Sequence, residues 1–180
     1  RYRMQGTMFA ERQGIFNSAD LGVTAGVLLG KRLPKKYQKE VSKAYPGTWG
    51  SLMLGVYNGT GYHAIEKNRK KVFMGRVSIR PLGFIHPNLQ LTYFLTYGDG
   101  NVEDENNIPK WVNHTAMASY EHKYFVLTGQ FIFGKGLQKG QGLLWIDGNG
   151  DPVEYFGYSG FAEVKLPWIL SSLMMRFDWF

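Results

Sequence analysis

The sequence predicts an all-β chain whose strands form the wall of an antiparallel transmembrane β-barrel. Three observations carry that expectation. Apolar residues recur at every second position in segment after segment, which is the period of a strand. Most of these segments run about 9–12 residues, nearly twice the usual globular strand and the length a tilted strand needs to cross a bilayer. The connections alternate between long polar stretches and tight ones, the two rims of an outer-membrane barrel.

Taken in order, about nine segments read as strands, at 1–10, 19–29, 49–58, 71–81, 89–98, 112–121, 124–133, 155–164 and 169–180. In the second, Leu21, Val23, Ala25, Val27 and Leu29 share one face and Asp20, Gly22, Thr24, Gly26 and Leu28 the other. In the fourth, Phe73, Val77 and Ile79 alternate with Met74, Arg76, Ser78 and Arg80. The fifth is the clearest, with Leu89, Leu91, Tyr93, Leu95 and Tyr97 opposed to Gln90, Thr92 and Thr96. The ninth sets Ile169, Leu173, Met175, Phe177 and Trp179 against Ser172, Met174, Arg176 and Asp178. Long connections cover 59–70, 99–111 and 134–154; tight ones cover 82–88, 121–123 and 165–168. Aromatics gather near strand ends, among them Tyr57, Tyr97, Trp111, Tyr120, Tyr124, Phe133, Tyr155, Trp168 and Trp179, as in the girdles at membrane interfaces.

Composition narrows the choice. The chain has 180 residues, 23 Gly, 16% aromatic residues and no Cys, so disulfides, cysteine zinc sites and thiol nucleophiles are excluded. No run approaches the roughly 18 apolar residues of a membrane-spanning helix. The net charge of +7 is concentrated in one place. Lys31, Arg32, Lys35, Lys36, Lys39 and Lys43 stand against Glu40 alone, so the chain is not a nucleic-acid-coating protein. Within this stretch, 33–46 reads as a short basic amphipathic helix, with Pro34 at its start, Tyr37, Val41 and Tyr45 on one side, and Pro46-Gly47 as its stop. It suits anionic lipid headgroups, a partner protein, an inward-folded constriction or a simple solvated helix.

Three motifs in order sharpen the reading: Asp20-Leu21-Gly22-Val23 opening a strand, Gly55-Val56-Tyr57-Asn58-Gly59-Thr60-Gly61 closing the next, and Gly75-Arg76-Val77-Ser78-Ile79-Arg80-Pro81 ending in a proline turn. This set resembles the phosphate-selective porin O and P family of bacterial outer membranes, best over 15–100 and at the level of pattern over 101–180. The resemblance implies a diffusion porin of about sixteen strands, usually trimeric, without cofactor, that admits small solutes and favours anions through cationic side chains along its pore. Nine strands cannot close a bacterial barrel, where strand numbers are even. Phe180 also falls in phase with Arg176 and Asp178 rather than with Phe177 and Trp179. The whole of 1–180 is therefore expected to be one barrel domain that is a segment of a longer porin.

The face opposite the apolar set receives Arg1, Arg3, Gln5, Asp20, Thr24, Arg76, Ser78, Arg80, Gln90, Glu163, Arg176 and Asp178. Guanidinium groups keep their charge at any pH and bind phosphate or carboxylate with two parallel hydrogen bonds. Arg3, Arg76, Arg80 and Arg176 are therefore the expected anion contacts. Arg76 and Arg80 lie about 13–14 Å apart along one strand, as two rungs for an anion or as braces paired with Glu163 or Asp178. Asp147, Asn149 and Asp151 place oxygen ligands at alternate positions as the start of a calcium loop does, but the full twelve-residue pattern is missing, Pro152 follows directly, and an ordinary Gly/Asn turn fits better. His63, His86, His114 and His122 lack metal-ligand spacing, and no serine has a nucleophile-elbow context, so no enzyme is expected. Two alternatives stay open: a soluble or surface-attached β module binding carbohydrate through Trp and Tyr, and a barrel serving as scaffold in an envelope complex.

Overall fold

Period-two alternation produces strands in eight of the nine expected segments. The computed structural model describes residues 9–15, 19–62, 64–103, 108–136 and 146–180. Eight strands appear among them: β1 (Gly22–Leu29), β2 (Gly50–Tyr57), β3 (Val72–Ile79), β4 (Leu89–Asp99), β5 (Lys110–Glu121), β6 (Phe125–Lys135), β7 (Glu154–Leu166) and β8 (Ser171–Trp179). They form one antiparallel sheet in sequence order, each strand hydrogen-bonded to the next. Among the described residues, nothing pairs with the outer edge of β1 or of β8.

The first expected strand, at 1–10, gives way to a helical turn at its described residues. Phe9–Arg12 is a single helical turn, α1, and residues 1–8 lie outside the described residues. Phe9 and Ala10 are neighbours yet both are buried, which a strand with one exposed face does not favour because its adjacent side chains face opposite sides. Ala10, Glu11 and Arg12 also favour helix, and Gly14, at φ 73°, ends the turn. The basic helix is shorter than its pattern suggested. Helix α2 spans Lys35–Glu40 only. Beyond it Tyr45 takes a positive φ of 45°, and the Leu33 amide donates to the Pro46 carbonyl at 2.7 Å, folding 33–46 back on itself.

Register shows how the strands lie. The hydrogen-bonded row that starts at Leu29, the last residue of β1, runs through Gly50, Ile79, Leu91, Ala118, Gly129 and Gly160 to Phe177. It leaves β1 at one rim and reaches β8 two residues from the opposite rim. Such stagger accompanies strands that are tilted within a curved sheet.

Burial is inverted between the two faces. Leu29's face carries Val23, Leu54, Val56, Tyr97, Leu127, Phe131, Leu173 and Met175, all exposed, with Val23 at 79% and Met175 at 73%. The opposite face carries Ser51, Ser78, Thr96, Asn113 and Ser119, all buried, with Thr96 and Asn113 at 0%. Aromatic rings mark both ends of the exposed face. On one rim His114 stacks on Phe133 at 4.7 Å and Phe156 meets Trp179 at 5.1 Å; on the other Trp49 meets Phe84 at 4.0 Å and Tyr120 stacks on Phe125 at 5.6 Å.

Candidate functional site on the polar face

Alternation places a polar residue from strand after strand on a common line. One row joins Ser51, Ser78, Thr92, Met117, Gln130, Ser159 and Asp178 across seven strands. Its hydroxyls bond to one another, Ser78 Oγ lying 2.8 Å from Thr92 Oγ1, and Gln90 Nε2 donates to Thr92 Oγ1 at 3.3 Å. Bonding within the row satisfies groups that burial would otherwise leave costly.

Of the expected anion contacts, Arg76 and Arg176 stand on this face. Arg76 occupies the middle of β3, opposite Met53 on one side and Phe94 on the other. Its Nη2 donates to Ser51 Oγ at 3.2 Å, and its Nε has no hydrogen-bond partner among the described residues. Arg176 donates from Nε to Asp178 Oδ1 at 2.9 Å, with Nη2 2.8 Å from Oδ2. The Asp178 carboxylate also accepts from Ser159 Oγ at 2.6 Å. This pair is two-pronged and its charges cancel. Glu163 is buried on the same face, opposite Val126 and Met174.

Arg80 has a different task from the one its sequence position suggested. It lies just past β3, is 4% exposed, and spends its guanidinium on backbone carbonyls: Pro87 through Nε at 3.0 Å, and Tyr45 and Gly47 through Nη1 at 3.0 and 2.9 Å. A guanidinium so engaged is a clamp between two connections rather than an open anion rung. Arg3, with Arg1 and Gln5, lies outside the described residues.

The clamp explains where the basic stretch goes. Arg80 holds the 30–49 connection against the 80–88 turn, and Tyr37 adds a bond from its hydroxyl to the Pro87 carbonyl at 3.1 Å. Burial pushes the Tyr37 hydroxyl above its usual range, opposed by the nearby Arg80 charge. Tyr45 then lies over Arg76, ring centroid 3.6 Å from the guanidinium carbon. In sequence Tyr45 reads only as the last apolar position before a Pro-Gly stop. Its contact depends on a fold-back that spacing does not show. Lys31, Arg32, Lys35, Lys36, Lys39 and Lys43 remain exposed around this rim.

At the other rim the first two motifs meet. Asp20 accepts from the amides of Leu21 at 2.8 Å and Gly59 at 2.7 Å, and the Asn58 amide donates to the Leu21 carbonyl. Burial raises the Asp20 carboxyl above the usual carboxylate range, against the pull of those amides. Asp20 thus belongs to the rim and not to the wall. Asn68 locks the 58–71 and 100–109 connections by donating to the carbonyls of Gly100 at 2.9 Å and Val102 at 2.8 Å. Asn101 answers with a bond from its amide to the Ile65 carbonyl at 2.9 Å.

The Asp147 carboxylate is occupied by its own turn. Its Oδ1 accepts from the amides of Asn149 at 2.8 Å and Asp151 at 3.0 Å, the geometry of an Asx turn. Among the described residues no group of three or more His, Asp or Glu side chains converges as metal ligands would. Comparison of the chain with protein-family models, with curated proteins and with solved structures gives no match. The polar face is read from its own chemistry: a hydrogen-bonded hydroxyl row, one cation under a tyrosine ring and one neutralised ion pair.

Proposed function

We propose that this chain forms wall of an outer-membrane diffusion channel, its polar face turned to the lumen and its apolar face to lipid. The solutes are small and preferentially anionic. The observation that carries the reading is the inverted burial: the eight strands present an exposed apolar face, and β2 to β5 bury Ser, Thr and Asn on the other. In a soluble sandwich or lipocalin-like barrel the apolar face is the hidden one. Soluble monomers also rarely expose apolar patches beyond a few hundred Å². The aromatic rings at both ends of the apolar face, the staggered register and the ordered motifs that resemble the porin O and P family point the same way.

In this reading Arg76 supplies the accessible lumen charge, with Tyr45 setting its direction, and Arg176 contributes through a pair already neutralised by Asp178. Arg80 supports the wall. Homo-oligomers, trimers in the family resembled, and contact with outer-membrane lipid are part of the same proposal. The test is the zero-current potential of detergent-extracted protein in a planar bilayer under a salt gradient. A potential of the sign for anion preference is expected. Protein that stays in the aqueous fraction without detergent, or intact protein without conductance, overturns the reading in favour of a binding module or a scaffold.

A further inference from the structure

The polar face carries apolar residues at several positions, among them Val72, Phe94, Trp111 and Val126, and one such position forms a seat. Ile132 of β6 sits in a polar-face position, is 0% exposed, and belongs to a cluster with Phe9, Ala10 and Ile15 against which Tyr155 packs. Phe180, in the same phase, meets Phe9 edge-on at 6.1 Å and Tyr155 at 5.8 Å. Gly157 lies between them. A Cβ there would stand 2.8 Å from Phe180 Cδ2 and 2.9 Å from Phe9 Cζ, so the absence of a side chain is what lets Phe9 approach. Ile132 and Gly157 also close the row that contains Arg76.

The seat brings a charge with it. Arg12, the last residue of α1, lines a cleft of about 480 Å³ with Gln13, Arg176, Phe177 and Asp178. Because Asp178 holds Arg176 with two prongs, the net positive charge of the cleft comes from Arg12. We propose that residues 9–15 are an internal constriction seated on the polar wall, and that Arg12 is a selectivity-determining side chain that draws small oxyanions along this side of the pore. The proposal rests on the channel reading above.

The chain has no Cys, so single cysteines report position directly. In the folded full chain, Ala10→Cys is expected to react with a maleimide at least about tenfold more slowly than Arg12→Cys, since labelling of a buried site must wait for local opening. The two should react alike after denaturation. In planar bilayers Arg12→Gln should lower the anion-to-cation permeability ratio by about twofold, the effect of one unit charge at several ångströms in water, and Arg12→Lys should restore it. Equal labelling of the two cysteines in the folded protein overturns the seat. A protected Ala10→Cys with an unchanged permeability ratio in Arg12→Gln overturns the selectivity role. A parent protein that does not conduct, with Ala10→Cys still protected, overturns the channel reading and the constriction together while leaving the seat in place.

Discussion

The centroid of the Tyr45 ring lies 3.6 Å from the guanidinium carbon of Arg76, although β2 and the 58–71 connection lie between them in the chain. The contact both holds the 30–49 connection inward and fixes the direction of a half-buried cation on the polar face. Arg76→Gln is expected to shift the zero-current potential toward cations, with a roughly twofold fall in permeability ratio. Tyr45→Ala should leave the charge but cost about 0.5–2 kcal/mol of stability by loss of the cation–π contact. A bilayer recording and a urea titration separate the two effects.

Arg80→Gln should behave in the opposite way. Its guanidinium serves three carbonyls in a buried position. Loss of those charged donors is expected to cost roughly 2–4 kcal/mol, because three charge-assisted hydrogen bonds made in a buried position disappear. Ion preference should change less than in Arg76→Gln. Unfolding midpoints measured in vesicles check the first expectation, and potentials measured on the folded fraction check the second.

Asn68→Ala removes two bonds that join the 58–71 and 100–109 connections. The expected loss is about 2 kcal/mol, felt locally. Lys67, Arg69 and Lys70 flank the site, so trypsin should cleave there faster than in the parent. Unchanged cleavage kinetics would count against a shared lock between the two connections.

The Tyr37 hydroxyl donates to Pro87 and titrates above its usual range because it is buried. The folded state therefore keeps the phenol proton to higher pH than the unfolded chain does. Its stabilising contribution is complete below pH of about 10 and is lost as pH climbs through the raised value. Tyr37→Phe should cost about 1 kcal/mol near neutrality and flatten the alkaline loss. Urea midpoints collected from pH 8 to 11 would reveal either outcome.

Met175, on the apolar face of β8, is 73% exposed. If that face meets lipid, Met175→Arg should cost about 2–4 kcal/mol near the bilayer midplane. If it meets water, the change should fall within about 0.5 kcal/mol. Folding titrations into vesicles distinguish the two.

Much of the sheet was legible because strand period survives local noise. The alternation of Leu89 to Tyr97 fixes both the element and its faces, and the same holds for 169–180 apart from Pro167–Ile169, which forms a 3-10 turn. Of the expected strand at 1–10, the described residues Phe9 and Ala10 look in sequence like part of an alternating run but form a helical turn. Their burial is decided by Ile132 and Phe180, far along the chain. Arg76 and Arg80 share a period and a residue type, so no pattern separates them. What does is that Arg80 sits where two connections cross, with three carbonyls within reach. The Asp147 turn was ambiguous for a similar reason, since oxygen atoms at alternate positions suit an Asx turn and a cation alike.

The seat of α1 bears on the order in which the molecule assembles. Every strand pairing joins neighbours in sequence, so the sheet can zip together hairpin by hairpin with little entropy lost at each step. Phe9 and Ile15 can settle only once β6, β7 and β8 have come together, because Ile132, Tyr155 and Phe180 make their pocket. That contact closes a loop of more than a hundred residues and comes after the strands that make it. The most N-terminal segment described is thus the last to reach its place.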